Sequence, residues 1–371
     1  MRFPEFSGEW EERPLKEIVK INQGLQIPIS ERFTEQIENS YFYITNEFLK
    51  AGSEKRYFVK NPNQSVICTK DDILMTRTGN TGMVVTNAEG VFHNNFFKVA
   101  YPDYINKTYL YNFLKLDETQ NLIKKLAGTS TIPDLNHSDF YRIELPFPTF
   151  PEQTKIATFL TEVDKKITAL KQKKSLLEQY KKGIMQQIFS QELRFKDDNG
   201  NDFADWEEKK LGKIARITTG SSNRIDSNLD GEFTFFDRSQ DIRSSNIFLF
   251  DTEAIIVPGE GQEFIPKHFI GKFDLHQRTY AIMDFENQNG KFLFYSISYN
   301  SNHLNSHEVG STVKSLRLPM FEKMPIKLPS LQEQTKIANF LSAIDEKINH
   351  CQGQIEKTAV WKKGLLQQMF V

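Results

Sequence analysis

The residues that could perform catalysis are sparse and poorly placed in this sequence. A phosphate-binding loop needs a glycine-lysine pair followed by serine or threonine, which together hold phosphate and magnesium. Glycine-lysine pairs begin at Gly212, Gly271 and Gly290, but isoleucine or phenylalanine follows each of them. The seven histidines are scattered, without a metalloprotease or Ser-His-Asp pattern, and no Asn-Pro-Pro-aromatic stretch of an amino-methyltransferase occurs. The sequence therefore favours a protein that binds and holds partners over one that catalyses a reaction.

Composition sets further bounds on the class of protein. The chain has 371 residues, of which 39% are hydrophobic and 26% charged, enough for two globular domains with connectors. Cys68 and Cys351 fit neither a disulfide framework nor a metal-ligand pattern. No apolar stretch reaches the roughly 18 residues of a membrane span, so we expect a cytoplasmic protein without membrane contact. The net charge of −1 predicts that any nucleic-acid binding is local.

A stretch of about forty residues occurs twice, at 151–189 and 332–370. With a constant offset of 181, 17 of the 39 aligned positions are identical, including a Glu-Gln-Thr-Lys-Ile-Ala segment and a Lys-Lys-Gly ending. Roughly two or three identities would arise by chance from average composition. Residues 168–180 share no identity with 349–361. This pattern is typical of helices whose ends have a common function and whose central parts only pair with each other. An internal duplication is therefore the main feature to explain.

Both copies predict long helices that pack on each other. Apolar residues recur at steps of three and four, or sums of such steps, which is the seam of a coiled coil. At 1.5 Å per residue each helix would be roughly 55–60 Å long and could not bury its seam alone. Two unrelated core helices are the alternative interpretation. The predicted seam residues are Ile156, Leu160, Val163, Ile167, Leu170, Leu177 and Ile184 in the first helix, and Ile337, Leu341, Ile344, Ile348, Ile355 and Leu365 in the second.

A second repeated element precedes two unlike stretches. The arm that begins Trp10-Glu11-Glu12 returns as Trp206-Glu207-Glu208, and it predicts a short helix over Leu15, Ile18 and Ile21 that ends at Gly24. Residues 25–127 and 221–309 do not align with each other, whereas similarity resumes at 128–132 and 310–313.

Within the unlike stretches, short apolar runs punctuated by Gly, Asn and Asp predict mixed α/β structure. We expect a helix at 109–126 and a strand-like run at 291–295. The polar segment 197–202 is the predicted linker between the halves. The predicted domains are 1–150 and 191–330, followed by helices at 151–190 and 331–371.

Taken together, these features resemble the specificity subunit of type I restriction-modification systems. The resemblance covers essentially the whole chain and depends on the order of its parts: the duplicated Glu-Gln-Thr-Lys-Ile-Ala helices, their Lys-Lys-Gly endings, the repeated Trp-Glu-Glu arm and two dissimilar domains. It implies two mixed α/β target recognition domains in a pseudo-twofold internal repeat, separated by an antiparallel coiled coil of the two long helices. Each domain would read one half of a bipartite site in double-stranded DNA.

The same resemblance places the chemistry on other chains. It implies two modification subunits that bind S-adenosylmethionine and methylate adenine, and two restriction subunits that use ATP and Mg²⁺ for cleavage. It implies no cofactor, metal or catalytic residue on this chain, which agrees with the missing motifs.

Candidate DNA-reading residues follow from this resemblance and from base chemistry. Arginine and lysine suit guanine, asparagine and glutamine suit adenine, and hydroxyl groups suit phosphates. We expect Arg77→Ala and Arg278→Ala to weaken binding to the cognate site more than to random duplex. The candidates in glycine-punctuated loops are Lys70, Arg77, Thr78, Asn80, Asn94 and Asn95 in the first domain, and Ser221, Ser222, Asn223, Arg224, Arg238, Arg243, Lys267 and Arg278 in the second.

Two other functions stay open at this point. The first is a coiled-coil scaffold whose variable domains bind protein partners only. The second is a stand-alone enzyme with an unrecognised active site. DNA binding by the chain with its modification subunit would separate the first from the restriction-modification interpretation, and methyl transfer by this chain alone would support the second.

Overall fold

The computed structural model describes residues 1–50, 52–128, 133–301, 303–304 and 314–370. The chain forms two compact units. The first unit comprises Met1–Leu170 with Gln354–Val371, and the second comprises Lys171–Gly353. Each unit therefore contains one variable domain, the nearer half of one long helix and the far half of the other.

The first unit is a mixed α/β domain with two four-stranded sheets. Its strands are β1 (Glu11–Pro14), β2 (Lys20–Gln23), β3 (Ser40–Ile44), β4 (Phe58–Lys60), β5 (Ile67–Cys68), β6 (Ile73–Thr76), β7 (Val84–Val85), β8 (Gly90–Phe92), β9 (Phe96–Ala100) and β10 (Glu144–Phe147). Strands β2-β9-β6-β7 form one antiparallel sheet, and β4-β3-β8-β5 form another in which β3 and β8 are parallel. Strands β1 and β10 pair separately next to the long helix.

Four short helices and one long helix complete this unit. They are α1 (Leu15–Ile18), α2 (Lys107–Leu114), α3 (Asp117–Leu126), α4 (His137–Phe140) and α5 (Phe150–Phe189), of which only the first half of α5 belongs here. Asn106 caps α2 by accepting hydrogen bonds from the amides of Thr108 and Tyr109. One core joins α2, α3 and the sheet to Ile156 and Leu160 of the long helix.

The second unit has one six-stranded sheet in place of the two smaller ones. Its strands are β11 (Glu207–Lys210), β12 (Arg216–Thr219), β13 (Phe233–Phe236), β14 (Arg243–Ser245), β15 (Phe250–Pro258), β16 (Glu260–Gly261), β17 (Lys267–Leu275), β18 (Thr279–Met283), β19 (Lys314–Ser315) and β20 (Pro325–Leu328). The sheet order is β12-β18-β15-β17-β13-β14, with β13 parallel to β17. The pairs β11-β20 and β16-β19 are separate.

Helices of the second unit occupy positions that match those of the first. They are α6 (Gly290–Tyr299), α7 (Leu318–Glu322) and α8 (Leu331–Met369), together with the second half of α5. Asn289 caps α6, as Asn106 caps α2, here by accepting from the amide of Phe292. The mixed α/β class and the two copies of one architecture are thus as the sequence predicts.

The two long helices meet inside each unit through an ion pair. In the first unit, Lys362 donates to both carboxylate oxygens of Asp164 at 2.7 Å. In the second, Lys181 donates to Asp345 at 2.6 Å. Both partners are related by the sequence offset of 181, so the same ion pair is made twice.

The predicted seam residues lie on the packed face of each helix. Those at the ends are buried: Ile156, Leu160, Val163, Ile337, Leu341, Ile344 and Leu365. Those nearer the middle are half-buried, as is Ile184 near the C-terminal end of α5: Ile167, Leu170, Leu177, Ile184, Ile348 and Ile355. The ends are buried more completely because each also packs against the core of a variable domain.

The duplicated Glu-Gln pair fastens each long helix to its domain. The side-chain oxygen of Gln153 accepts from the amide of Asn106, and its nitrogen donates to the carbonyl of Pro148 at 3.0 Å. Gln334 does the same with Asn289 and the carbonyl of residue 329. The preceding glutamate of each copy is buried and pairs with an arginine. The repeated segment therefore serves assembly of the fold rather than ligand binding.

Three local predictions are wrong, each because tertiary packing outweighs the local pattern. Ile21 belongs to strand β2, paired with Val99, so the helix ends at Ile18. The predicted helix at 109–126 is two helices, because Leu116 is extended (φ −56°, ψ 140°) and starts α3. The run 291–295 is helical within α6, where the Asn289 cap and burial of one face decide the structure.

Parts of the repeated segments 128–132 and 310–313 lie outside the described residues. Segment 197–202 forms a turn in which Asp197 accepts from the amides of Asn199 and Asn201. Within the described residues, every helix is too short or too polar to cross a bilayer.

Candidate nucleic-acid interface

Each unit carries the same histidine turn at the end of a parallel strand. His93 follows β8 and His276 follows β17. In each turn the histidine Nδ1 accepts a hydrogen bond at 3.0 Å from an amide two residues later, that of Asn95 or of Arg278. Burial lowers the pKa of both histidines, which keeps the accepting neutral form at neutral pH. Asn95 and Arg278 therefore occupy equivalent backbone positions.

A pair of amide side chains lies beside each histidine turn. Asn94 donates from Nδ2 to Oε1 of Gln26 at 2.7 Å, and Gln277 donates from Nε2 to Oδ1 of Asn223 at 2.7 Å. The main-chain amides of Asn94 and Gln277 also bond to the carbonyl of the residue before each partner, at 3.1 and 3.0 Å. The two units thus match in side-chain chemistry as well as in backbone at this point.

The third shared segment brings a neighbouring loop against the turn. The amide of Arg77 donates to the carbonyl of Asn95 at 2.8 Å, and the amide of Gly259 donates to the carbonyl of Arg278 at 2.9 Å. Arg77 is therefore equivalent to Gly259. We call these three segments, in either unit, the shared frame. An arginine stands on the frame in both units, but at different positions.

In the first unit the frame arginine is held by a carboxylate. Arg77 donates from Nε to Oδ1 of Asp134 at 2.9 Å and from Nη2 to Oδ2 at 2.7 Å. The hydrogen bonds and charge of Arg77 lower the pKa of Asp134, so the pair stays ionic at neutral pH. This two-point pairing uses the Nε–Nη2 edge of the guanidinium. The two parallel donors on this edge of Arg77 are therefore bonded to Asp134 and are not free to bind a base.

In the second unit, several predicted residues converge on one pocket of about 220 Å³. The pocket has three arginines in its wall and lies on the shared frame. Its lining residues are Arg224, Asp237, Arg238, His276, Gln277 and Arg278. All three arginines are among the residues predicted from their type to contact DNA, and the fold places them together.

One glutamate holds two of the three arginines. Arg278 donates from Nη1 to both oxygens of Glu260, at 2.8 and 2.9 Å. Arg238 reaches the same carboxylate from its own Nη1 at 3.3 Å. The Glu260 side chain is 19% exposed, whereas both arginines are more than half exposed. Glu260 therefore fixes the arginines from beneath and leaves their outer edges open.

The third arginine lies over a buried aspartate. Asp237 is 3% exposed, and its Oδ1 accepts from the amide and hydroxyl of Ser239. Its Oδ2 has no hydrogen bond within the described residues and lies 3.6 Å from Nε of Arg224. Burial would raise the pKa of Asp237, but the Ser239 hydrogen bonds and the charge of Arg224 lower it below the usual value. The pocket therefore contains a fixed negative charge beneath its arginines.

Two predicted DNA contacts also have structural roles. Ser222 is buried and donates to Oδ1 of Asp274 at 2.6 Å, which fixes the start of the loop. Lys267 is half-buried, and its Nζ donates to the carbonyls of Ser239 and Gln240 at 2.8 and 3.3 Å. The Ser222 hydroxyl therefore donates inside the fold, whereas the Lys267 ammonium keeps a third N–H donor. Contact of either residue with DNA stays a prediction.

The other candidates differ in how close they are to the frame. Thr78 and Asn80 follow Arg77 in the same loop, and Asn80 adopts a positive φ of 71°. Ser221 is exposed next to the frame, and Arg243 donates to the hydroxyl of residue 227 at 3.3 Å. Lys70 lies in a separate turn, where its carbonyl accepts from Nζ of residue 107. Arg77, Asn94, Asn95, Asn223, Arg224, Arg238 and Arg278 are the predicted residues on the frame or pocket.

Sequence reasoning missed the residues that position these side chains. Gln26, Asp134, Asp237, Glu260 and His276 belong to the frame or hold its arginines. The spacing of the paired histidine turns, each directly after an aromatic-rich strand, was a usable signal. The carboxylates gave no signal in the sequence, because their arginine partners lie 13 to 57 residues away.

A mixed α/β protein with two repeats, two matched frames and unlike side chains on them is typical of a DNA specificity protein. The family model described as "Type I restriction modification DNA specificity domain" matches residues 7–179 and 204–358. These two ranges confirm the predicted internal repeat. They cover most of the chain, so the chain belongs to this family: it is a specificity subunit of a type I restriction-modification system, the non-catalytic member of such a system.

Individual relatives agree with this assignment. The type I restriction enzyme MjaVIII specificity subunit of Methanocaldococcus jannaschii is 26% identical over 400 aligned positions, covering 99% of this chain and 92% of that protein. The EcoDI specificity subunit of Escherichia coli is 29% identical over 41% of this chain and 34% of its own length. A crystal structure of the type I S subunit from M. genitalium matches with a TM-score of 0.62 at 17% identity, covering 98% and 96% of the two chains. That last likeness concerns the fold alone.

Proposed function

We propose that each repeat reads one half of a bipartite site in double-stranded DNA. We assign target recognition to residues 1–150 and 191–330. The observation that carries the proposal is the shared frame, which presents an Arg77–Asp134 pair in one repeat and an Arg278–Glu260 pair in the other. Equal backbones with unlike side chains suit two readers that meet the duplex in the same way but recognise different bases.

We propose further that helices 151–190 and 331–371 form one antiparallel coiled coil that fixes the distance between the half-sites. The reciprocal Asp–Lys pairs and the buried seam residues at both helix ends support this proposal. Like-facing grooves of a duplex recur about every 34 Å, so a spacer of defined length between two read segments is the expected form of the target.

Selection from random duplexes by the complex of this chain with its methyltransferase subunit tests both proposals. We expect two short preferred segments with an unread spacer between them. Adding one heptad to each helix, within 168–180 and 349–361, should lengthen the preferred spacer by about three base pairs, because seven residues add about 10 Å. Adding a heptad to one helix alone serves as the control, and it should disrupt pairing and weaken binding.

Two other outcomes of that selection are informative. An unchanged spacer preference in the double insertion would contradict the role of the helices as a ruler. An absence of any preferred sequence for the unaltered complex would favour a scaffold that binds proteins only.

We propose that two modification subunits and two restriction subunits bind this chain and supply S-adenosylmethionine, ATP and Mg²⁺. A matched pair of exposed aromatic residues supports two copies of one partner. Trp361 and Tyr180 occupy equivalent helix positions at the offset of 181 and are 50% and 51% exposed. Trp361 lies 6.0 Å from Phe159, whose equivalent in the other repeat is Phe340. Each unit therefore offers one exposed aromatic residue to a partner at the same helix position.

Alanine at these two positions should remove the modification subunits one at a time. Tyr180→Ala or Trp361→Ala alone is expected to weaken one copy about 30-fold or more, since exposed aromatics are frequent interface hot spots worth 2 kcal/mol or more. The double variant should weaken both. Native mass spectrometry of the assembled complex measures the number of bound copies. Val360→Ala is the control, because Val360 is exposed but its equivalent is Gln179; retention of two copies by the double variant would contradict the proposal.

A further inference from the structure

We propose that the second repeat recognises a guanine through Arg278, positioned by Glu260, and that the first repeat reads its half-site without an equivalent guanine contact. This inference rests on the proposed function and names the base that distinguishes one half of the target. It follows from which edges of the arginines are free, from the charge of the pocket and from the comparison of the two frames.

The free edge of Arg278 has the geometry that guanine requires. Glu260 takes up Nη1 alone, with both oxygens within 2.9 Å. Among the described residues, Nε and Nη2 of Arg278 have no hydrogen-bond acceptor, and the side chain is 57% exposed. Two parallel N–H donors on one side of a guanidinium match O6 and N7 of guanine in the major groove. Arg278 is therefore both anchored and open for two-point recognition.

The charges of the pocket favour the same base. Arg224, Arg238 and Arg278 carry three positive charges, and Asp237 and Glu260 carry two negative charges, which leaves an excess of +1. Among the four bases, guanine presents two acceptors side by side in the major groove, whereas adenine and cytosine present an amino donor there. An excess of donors on the protein thus selects the acceptor-rich edge.

The first repeat offers a different set of groups on the same frame. Asn95 stands where Arg278 stands, and the Nε–Nη2 edge of Arg77 is occupied by Asp134. The remaining side chains there are the amides of Gln26 and Asn94, which are suited to adenine. The two halves of the target should therefore differ, with the guanine contact confined to the half read by the second repeat.

The test is the base preference of Arg278→Asn, measured with the complex of the full chain and its methyltransferase subunit. This variant places on the second frame the residue that the first frame already carries, so the turn should be retained. We expect selection from random duplexes to yield a preferred G·C pair in one half-site. In Arg278→Asn the preference at that pair should fall by about 5- to 150-fold, while the other half-site stays unchanged.

Two further variants separate base reading from charge and from folding. Arg278→Lys keeps the charge but not the rigid two-point geometry, so it should bind random duplex as the unaltered chain does and show a reduced G·C preference. Arg216→Asn is the matched control, because Arg216 is an exposed arginine of the same unit that pairs with Asp284 away from the frame. It should retain the full preference.

The outcomes separate this inference from the proposed function. Equal weakening of all sequences by Arg278→Asn would assign Arg278 to a phosphate and overturn the inference, as would relaxation of an A·T pair. In either case the bipartite preference of the unaltered complex would persist, and the proposed function would stand. A complex without any sequence preference would overturn the proposed function and this inference with it.

Discussion

Gly220→Ala is expected to lower the free energy of unfolding of the second unit by about 1–3 kcal/mol and to abolish the sequence preference at the half-site read by the second repeat. A Cβ atom at this position would lie 1.7 Å from the carbonyl oxygen of Leu275 and 2.3 Å from its carbonyl carbon. Both atoms belong to the backbone of β17, so no side chain can move aside. The chain must shift instead, and it carries Asn223 and Arg224 of the interface with it. Chemical denaturation and duplex competition measure the two effects.

Gly353→Ala provides the matched control, with the opposite sign. Gly353 lies in the interior of helix α8 in the same unit, and an added Cβ would meet no heavy atom within 4 Å. Alanine there should raise the free energy of unfolding by about 0.5–1 kcal/mol, because it restricts the unfolded chain and favours the helix. Destabilisation of similar size by both substitutions would contradict the close-approach explanation for Gly220.

Arg194→Ala is expected to cost about 3–5 kcal/mol of stability, because it leaves a buried carboxylate without its cation. Glu333 is 0% exposed, and it accepts hydrogen bonds from Nε and Nη2 of Arg194 at 3.3 and 2.9 Å. Nε1 of Trp206 also donates to Glu333 at 3.2 Å. Thermal and denaturant unfolding of the full chain measure the loss.

Arg216→Ala removes an ion pair of the same type from an exposed site. Nε of Arg216 lies 2.5 Å from Oδ2 of Asp284, but both side chains are more than half exposed. Its removal should cost less than about 1 kcal/mol, because water and salt screen the pair. If Arg194→Ala cost no more than this control, the Trp206 hydrogen bond alone would be enough to hold Glu333.

The repeat and the long helices could be predicted from sequence because their signals are local. A heptad seam and a constant offset of 181 survive in the residues themselves, and the reciprocal Lys181–Asp345 and Lys362–Asp164 pairs fall on identities between the copies. The roles of Gln153 and Gln334 could not be predicted. Each bonds to the capping residue of a helix about 45 residues away, and contacts over such a distance produce no periodic pattern in the sequence.

The candidate interface residues could be selected from the sequence by type, but their arrangement could not be predicted. Arg224, Arg238 and Arg278 were selected as donors, and the parallel pairing of β13 with β17 brings them to one pocket. The Gly259-Glu260-Gly261 segment looked like an ordinary loop in sequence. Glu260 in this segment holds two arginines that lie 22 and 18 residues away in sequence, and no short-range pattern indicates such contacts.

The frame has a consequence for how such a protein acquires new targets. Asn95 and Arg278 contribute only their own main-chain nitrogen and oxygen atoms to the bonds that build the histidine turn and its neighbouring loop. Side chains at these positions can change while the turn persists, as the two halves of this chain already illustrate. On the proposed role of Arg278, a single codon change there would redirect recognition without a new backbone, and divergence of specificity would not require rearrangement of the domain.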